Sequence, residues 1–440
     1  MDNKIYYVWM QRVFGAGSRK AGDVLERFGS PSAFALAGEH EWRLSGLFSE
    51  KELARIKSTP LTFAEDVIDR CEKTNQQIIV FEDERYPIRL KRLVDAPLVL
   101  YVSGTLPNID DEVAIAVVGT RSATPYGHNT AFRLSYRLAE CGALVVSGGA
   151  LGIDSDAHRG ALQAGGRTIA VLGCSIDYPY LSANAGLRRI ISEHGALISE
   201  YPPQTAPSRA SFPIRNRLIS GLALGTVVVE ASAKSGSLIT ADHALEQGRD
   251  VFAVPGNIMS AAYAGSNRLL RDGAKPVFSA ADILSEYTSQ YPHRINMDTA
   301  YTIIGEDFLK ETSEAVEDTT GNDGKTGIRT AGSRNKPAHG RAHGKTVASP
   351  DENAREKIKS AYSKSNNGES REYIKNNTVN IEDLSESASR VLDFLRNGAA
   401  VTDKIIENTG LSAAEVLAAV TELEIRGAIE VLAGNICKIK

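Results

Sequence analysis

The chain has 440 residues, too many for one compact core, and ordinary domain lengths divide it into two to four folded units. Hydrophobic residues at 42% and charged residues at 24% match a soluble globular protein. Lysine and arginine number 50 against 54 acids, a net charge of −4, which excludes a uniformly basic surface; any nucleic-acid contact must use a local concentration of cations. Cys71, Cys141, Cys174 and Cys437 lie far apart with no C-x-x-C pair, which argues against a zinc ribbon or a disulfide framework and suits a reducing cytosol. No apolar run approaches the roughly 18 residues a membrane span needs. The opening MDNKIYYVWMQR carries Asp2, Lys4 and Arg12 where a secretory leader needs an apolar stretch. The expectation is a modular cytoplasmic protein that does not enter membranes.

Residues 1–72 read as a small helical domain. Gly15-Ala16-Gly17-Ser18 precedes an amphipathic helix over 19–28, with Val24, Leu25 and Phe28 at helical spacing. Leu44 to Glu50 repeats the turn, Ser49 serving as N-cap for a helix over 51–57. Two such units resemble a helix-hairpin-helix or SAM-like module. Few basic residues flank the turns, so packing is favoured over DNA contact.

Residues 76–298 change character. Strands are expected at 78–81, 98–102, 115–118, 144–147, 168–172, 197–199, 227–230 and 251–254, with helices over 126–140, 155–164 and 240–247 between them. Apolar strands alternating with helices of this length predict βαβ units and an α/β, Rossmann-like, doubly wound, mostly parallel sheet.

Residues 305–384 are expected to form a disordered linker. From 321 to 380 there is no Leu, Phe, Met or Trp, and the local net charge is +6. Such a segment cannot bury enough apolar surface to offset its ordering entropy. Residues 385–440 then predict a C-terminal winged helix: helices over 388–396, 402–409 and 413–426, and a hairpin over 428–439. Its third helix carries Glu415, Glu422 and Glu424 against a single terminal Arg426, and the module's net charge is −2. Carboxylates facing phosphates oppose counterion release, so a protein-contact or dimer-supporting role is expected rather than duplex reading.

Ligands of open parallel sheets sit at the carboxyl ends of the strands. There this chain places Gly119-Thr120-Arg121, Ser147-Gly148-Gly149, Phe212 to Arg217 and Lys234-Ser235-Gly236. Glycines admit a phosphate close to the backbone, helix N-termini supply positive potential, and Arg121, Arg215, Arg217 and Lys234 add full charges. An anion site built for phosphate is the economical reading. The dinucleotide fingerprint G-x-G-x-x-G and the P-loop are both absent, so no nucleotide cofactor is expected. Asp154, Asp156 and His158 could hold a metal, but no further ligand is suitably spaced; Asp154 as a helix cap and His158 as a hydrogen-bonded structural residue is the preferred reading. A Ser147/His158 nucleophile pair lacks the G-x-S-x-G elbow. Glu230 is the best lone acid. No catalytic constellation forms, and no enzyme is expected.

The motifs are similar to those of the DNA-processing protein A family (DprA, also called Smf). They comprise Tyr86-Pro87, Ala96-Pro97-Leu98, Val117-Val118-Gly119-Thr120-Arg121, Ser147-Gly148-Gly149-Ala150-Leu151-Gly152-Ile153-Asp154, Phe212-Pro213-Ile214-Arg215-Asn216-Arg217 and Lys234-Ser235-Gly236-Ser237. The resemblance spans about residues 80–280. It implies a Rossmann-like domain that binds single-stranded DNA, loads the RecA recombinase onto it during natural transformation, and forms a homodimer. It also implies that Arg121, Arg215, Arg217 and Lys234 line the DNA pocket. This chain departs at Ile214, where the family commonly has arginine. The same Rossmann variant resembles nucleotide phosphoribohydrolases, the alternative reading, but their P-G-G-x-G-T loop is missing.

Overall fold

The computed structural model describes residues 3–303, 384–396, 398–426, 428–432 and 436–439; the expected linker lies outside the described residues except for Leu384. The N-terminal part holds five helices: α1 (Lys4–Phe14), α2 (Lys20–Phe28), α3 (Pro31–Leu44), α4 (Glu50–Ser58) and α5 (Thr62–Lys73). Local chemistry sets their ends. Ser30 accepts from the Ala33 amide and Pro31 fills the first turn of α3. Glu52 reaches back to the Ser49 amide at 2.8 Å to open α4. Gly15, at φ +80°, closes α1.

Phe34 is the hub of this domain, fully buried among the rings of Trp9, Phe28 and Phe48 at 5.2–5.6 Å. The same apolar cluster continues into Ile78, Val80, Val99 and Tyr101 of the adjoining sheet. The helical domain is therefore packed onto the sheet rather than tethered beside it.

The sheet has nine strands: β1 (Gln77–Val80), β2 (Val99–Gly104), β3 (Ala114–Val118), β4 (Leu144–Ser147), β5 (Thr168–Leu172), β6 (Ala196–Ser199), β7 (Gly225–Val228), β8 (Asp250–Ala253) and β9 (Lys275–Pro276). Their spatial order is β1-β2-β6-β5-β4-β3-β7-β8-β9. The β1–β2 and β2–β6 pairings are antiparallel and all others parallel. The chain walks outward from β3 to β6, then returns to lay β7 against the other edge of β3, with Ile115 opposite both Val145 and Gly225. That reversal creates a topological switch point between β3 and β7. The fold is the doubly wound Rossmann-like sheet that the alternation of strands and helices predicted. Strand β7 begins two residues earlier than expected, which leaves Val229 and Glu230 beyond the ladder.

Flanking helices are α6 (Ile88–Lys91), α7 (Pro125–Glu140), α8 (Ile153–Gln163), α9 (Ala185–His194), α10 (Ser211–Leu222), α11 (Ser237–Glu246), α12 (Ala264–Arg271) and α13 (Ala281–Leu284). Alternation along β3 divides the core. Ala114, Ala116 and Val118 face Leu218 and Leu222 of α10 and Ala241 of α11, whereas Ile115 and Val117 face Leu134 and Leu138 of α7.

The C-terminal part is a winged helix: α14 (Glu386–Leu395), α15 (Thr402–Thr409), α16 (Ala413–Ile425), and a small antiparallel sheet of β10 (Ala400–Val401), β11 (Ile429–Leu432) and β12 (Ile436–Ile439). Ser412 and Glu415 cap α16 reciprocally. This third helix lies against α9. A Cβ on Gly186 would come within 2.9 Å of the Ala418 side chain. Glu422, nearly buried, meets Arg189 at 3.2 Å and the Ser385 amide at 3.1 Å.

Candidate functional site

A crevice of about 310 Å³ opens at the switch point. The loop after β3 contributes Gly119, Thr120 and Arg121, and the loop after β7 contributes Ser232, Ser235 and Gly236. One face of α10 closes it with Phe212, Arg215, Asn216 and Ile219, positions spaced i, i+3, i+4 and i+7. Each loop is held by a definite bond. The Thr120 amide donates to the Glu230 carbonyl, and Asn216 Nδ2 donates to the Gly236 carbonyl at 3.2 Å.

The cations at this edge are not equivalent. Arg121 is exposed, its guanidinium 4.8 Å from the Phe212 ring centroid, and no carboxylate pairs with it among the described residues. Arg215 is 5% exposed; its Nη1 donates to the carbonyls of Gly148 and Val171 and its Nε to Asn216 Oδ1 at 3.2 Å. Burial holds its pKa below the ordinary arginine value, opposed by neighbouring Asp154. Burial likewise raises the Asp154 carboxyl, which the Arg215 charge pulls back down. Lys234 is exposed on the loop immediately before Ser235, beside the crevice lining.

Arg217 does not join them, contrary to the expectation. Two helical residues subtend about 200°, so Arg215 and Arg217 leave α10 on opposite sides. Arg217 is 2% exposed and grips Glu200 through two contacts of 2.7 and 2.9 Å, with Asp95 at 3.3 Å. Glu200 also accepts from Gln11 and from the Gly17 amide, at 3.1 Å each. Arg217 thus fastens the helical domain to the sheet.

Ser147, Gly148 and Gly149 lie beneath the crevice. Ser147 is fully buried with its hydroxyl donating to the Val117 carbonyl at 2.7 Å. A Cβ on Gly148 would press within 2.6 Å of both Asp154 and Arg215, so any larger residue must push these two side chains aside. Gly149, at φ +64°, shapes the turn, and Asn184 Nδ2 donates to its carbonyl at 3.1 Å. Asp154 lines the crevice. The sequence signal for it was its place in the Gly-rich motif, read instead as a helix cap. Tyr180, 5.6 Å from Phe212, carries no motif and could be found only in three dimensions.

The weighed catalytic groups are engaged elsewhere. His158 is fully buried, bonded to Thr168 at 2.8 Å, and burial lowers its pKa to about 3, with the Arg215 charge adding to the shift. Asp156 pairs with His128 at 2.6 Å. No group of three or more His, Cys, Asp or Glu side chains with metal-holding geometry occurs among the described residues. Glu230 is fully buried and accepts from the Thr124 amide and, at 2.7 Å, from its hydroxyl, steadying the start of α7.

Fold and crevice together define a Rossmann-like α/β protein with an open, partly cationic cleft at the switch point and an appended winged helix. Comparison with known proteins narrows this class. Residues 77–288 match the family described as DNA recombination-mediator protein A, and residues 377–435 match the DprA winged helix domain. DNA processing protein DprA of Bacillus subtilis is 42% identical over 208 residues, covering 47% of this chain and 70% of that protein. Protein Smf of Escherichia coli is 39% identical over 235 residues, covering 53% and 63%. The X-ray structure of DprA from Streptococcus pneumoniae superposes with a TM-score of 0.56 at 32% identity, covering 65% of this chain and 98% of that one. The chain belongs to the DNA processing protein A (DprA/Smf) family of recombination mediators.

Proposed function

We propose that the switch-point crevice binds single-stranded DNA and that the protein, as a homodimer formed through its Rossmann-like domain, loads RecA recombinase onto the bound strand in the cytoplasm during natural transformation. The observation that carries the first step is Arg121 poised over Phe212 at 4.8 Å, a cation with no carboxylate partner among the described residues beside an aromatic face. Such a pair accepts a phosphate and stacks a base at about 1–3 kcal/mol. A single strand offers unpaired base faces to it; a duplex does not. The crevice acts by binding and performs no chemistry.

The test is a titration against single-stranded and duplex oligonucleotides at two salt concentrations. Tighter single-strand binding with a clear salt dependence is expected; equal affinity would sink the reading. RecA filament growth on protein-coated single strands, with and without this chain, tests the loading step. Nucleoside monophosphates incubated with the protein should release no base, which separates this reading from a phosphoribohydrolase.

A further inference from the structure

A second cavity, of about 680 Å³, lies in the helical domain between the end of α1 and the start of α5. Its cations are Arg12 and Arg55, both exposed and with no ion-pair partner among the described residues. Arg12 sits over the Phe63 ring at 4.9 Å, nearly repeating the Arg121–Phe212 spacing of the crevice. Asp66 is the one acid lining this groove.

The groove continues into a smaller recess at the edge of the sheet. A recess of about 210 Å³ shares Arg12, Gly15 and Phe63 with it and is floored by Glu200 and Tyr201 of the Rossmann-like domain. Glu200 is neutralised there by Arg217. The Tyr201 hydroxyl meets the carbonyl of Ser211, the residue before Phe212. Gly17, at φ +73°, lies against α10 so closely that a Cβ would fall 2.9 Å from Ile214. The Arg12–Phe63 pair thus borders a recess whose Tyr201 reaches the start of α10, where the Arg121–Phe212 pair stands.

We propose that this groove is a second subsite for single-stranded nucleic acid, in which Arg12 and Arg55 take backbone phosphates and the Arg12–Phe63 pair receives a base from the strand leaving the crevice. The inference rests on the crevice reading above and extends the footprint by several nucleotides. Asp66 opposes the strand and limits affinity, so Asp66→Asn strengthens binding of long strands. The chemistry is sequence-tolerant, since phosphate contacts and stacking read no base edges.

The experiment measures affinity of the full chain for oligothymidylates of about 5 and about 20 nucleotides, lengths bracketing one and several contact sites. Arg12→Ala/Arg55→Ala is expected to weaken the long strand about tenfold and leave the short one unchanged. Its salt slope on the long strand should fall by about 1.4, two phosphate contacts at about 0.7 each. Both side chains are exposed, and an unchanged melting temperature verifies that the variant is folded. Equal losses on both lengths, or none on either, would overturn the second subsite. Arg121→Ala, expected to weaken both lengths, separates the two readings: failure of the wild-type chain to bind the short strand defeats the crevice, not merely the groove.

Discussion

The rim of the crevice and the junction between the helical domain and the sheet both present arginines, and the difference between them decides which has charge left for an anion from outside. At the rim, Arg121 is exposed and touches a ring rather than a carboxylate. At the junction, Arg217 is buried, with Glu200 and Asp95 taking its charge. Both belong to the motifs that carry the family resemblance. A cation already matched inside the protein has little attraction left for a phosphate, whereas an unmatched one at the surface has all of it. His158 supplies a third case: a base buried without an acid beside it gives up its proton.

The largest effect should come from breaking the junction. Arg217→Ala leaves the buried Glu200 carboxylate unpaired and should cost about 3–5 kcal/mol, read as a lower midpoint in denaturant. The comparison fails if this variant stays as stable as wild type while single-strand binding drops. Arg121→Ala should do the reverse. Losing one charge-assisted contact of about 1.5–3 kcal/mol weakens single-strand binding roughly 10- to 100-fold, and the salt slope falls by about 0.7, with stability unchanged.

His158 sharpens the same contrast through pH. Its pKa lies near 3 in the folded chain against an ordinary 6.5, so the unfolded chain takes up a proton in acid that the folded chain refuses. Stability is fully present above about pH 6.5 and is lost as pH falls toward 3, about 2 kcal/mol of it by about pH 5. In His158→Gln that part of the acid slope should vanish; an unaltered slope would mean another group carries it. The smallest change is expected at the winged helix. Arg189→Ala should cost under about 1 kcal/mol, because Arg189 is about half exposed and the buried Glu422 keeps Arg426 at 3.5 Å and the Ser385 amide; it should show as faster amide exchange in α16 with single-strand affinity unaffected.

Much of this architecture was legible locally. The central strands β3 to β7 are short, mostly apolar runs buried on both faces, and their alternation with helices pointed to the doubly wound fold, whereas β9, an exposed-edge Lys-Pro pair, gave no such signal. Glycines at the strand ends marked the crevice because backbone must pass close to Arg215 and Asp154 there. The opposed directions of Arg215 and Arg217 follow from helix periodicity, but no helix was expected over 211–222, so the structure was needed to separate them. What reading by neighbours missed was the end of β7: Val229 and Glu230 look like strand, but the ladder stops at Val228 and Glu230 turns to hold Thr124.

Sequence by itself determined the periodicities, the caps and the loop glycines, because these depend on residues within a turn or two of one another. Tertiary structure alone decided which charges are matched and which are free. Glu200 meets Gln11, Gly17 and Arg217, and Glu422 meets Arg189, across separations of 17 to 233 residues. Burial makes those distant pairings obligatory, since a charge removed from water must find its partner wherever the fold places one.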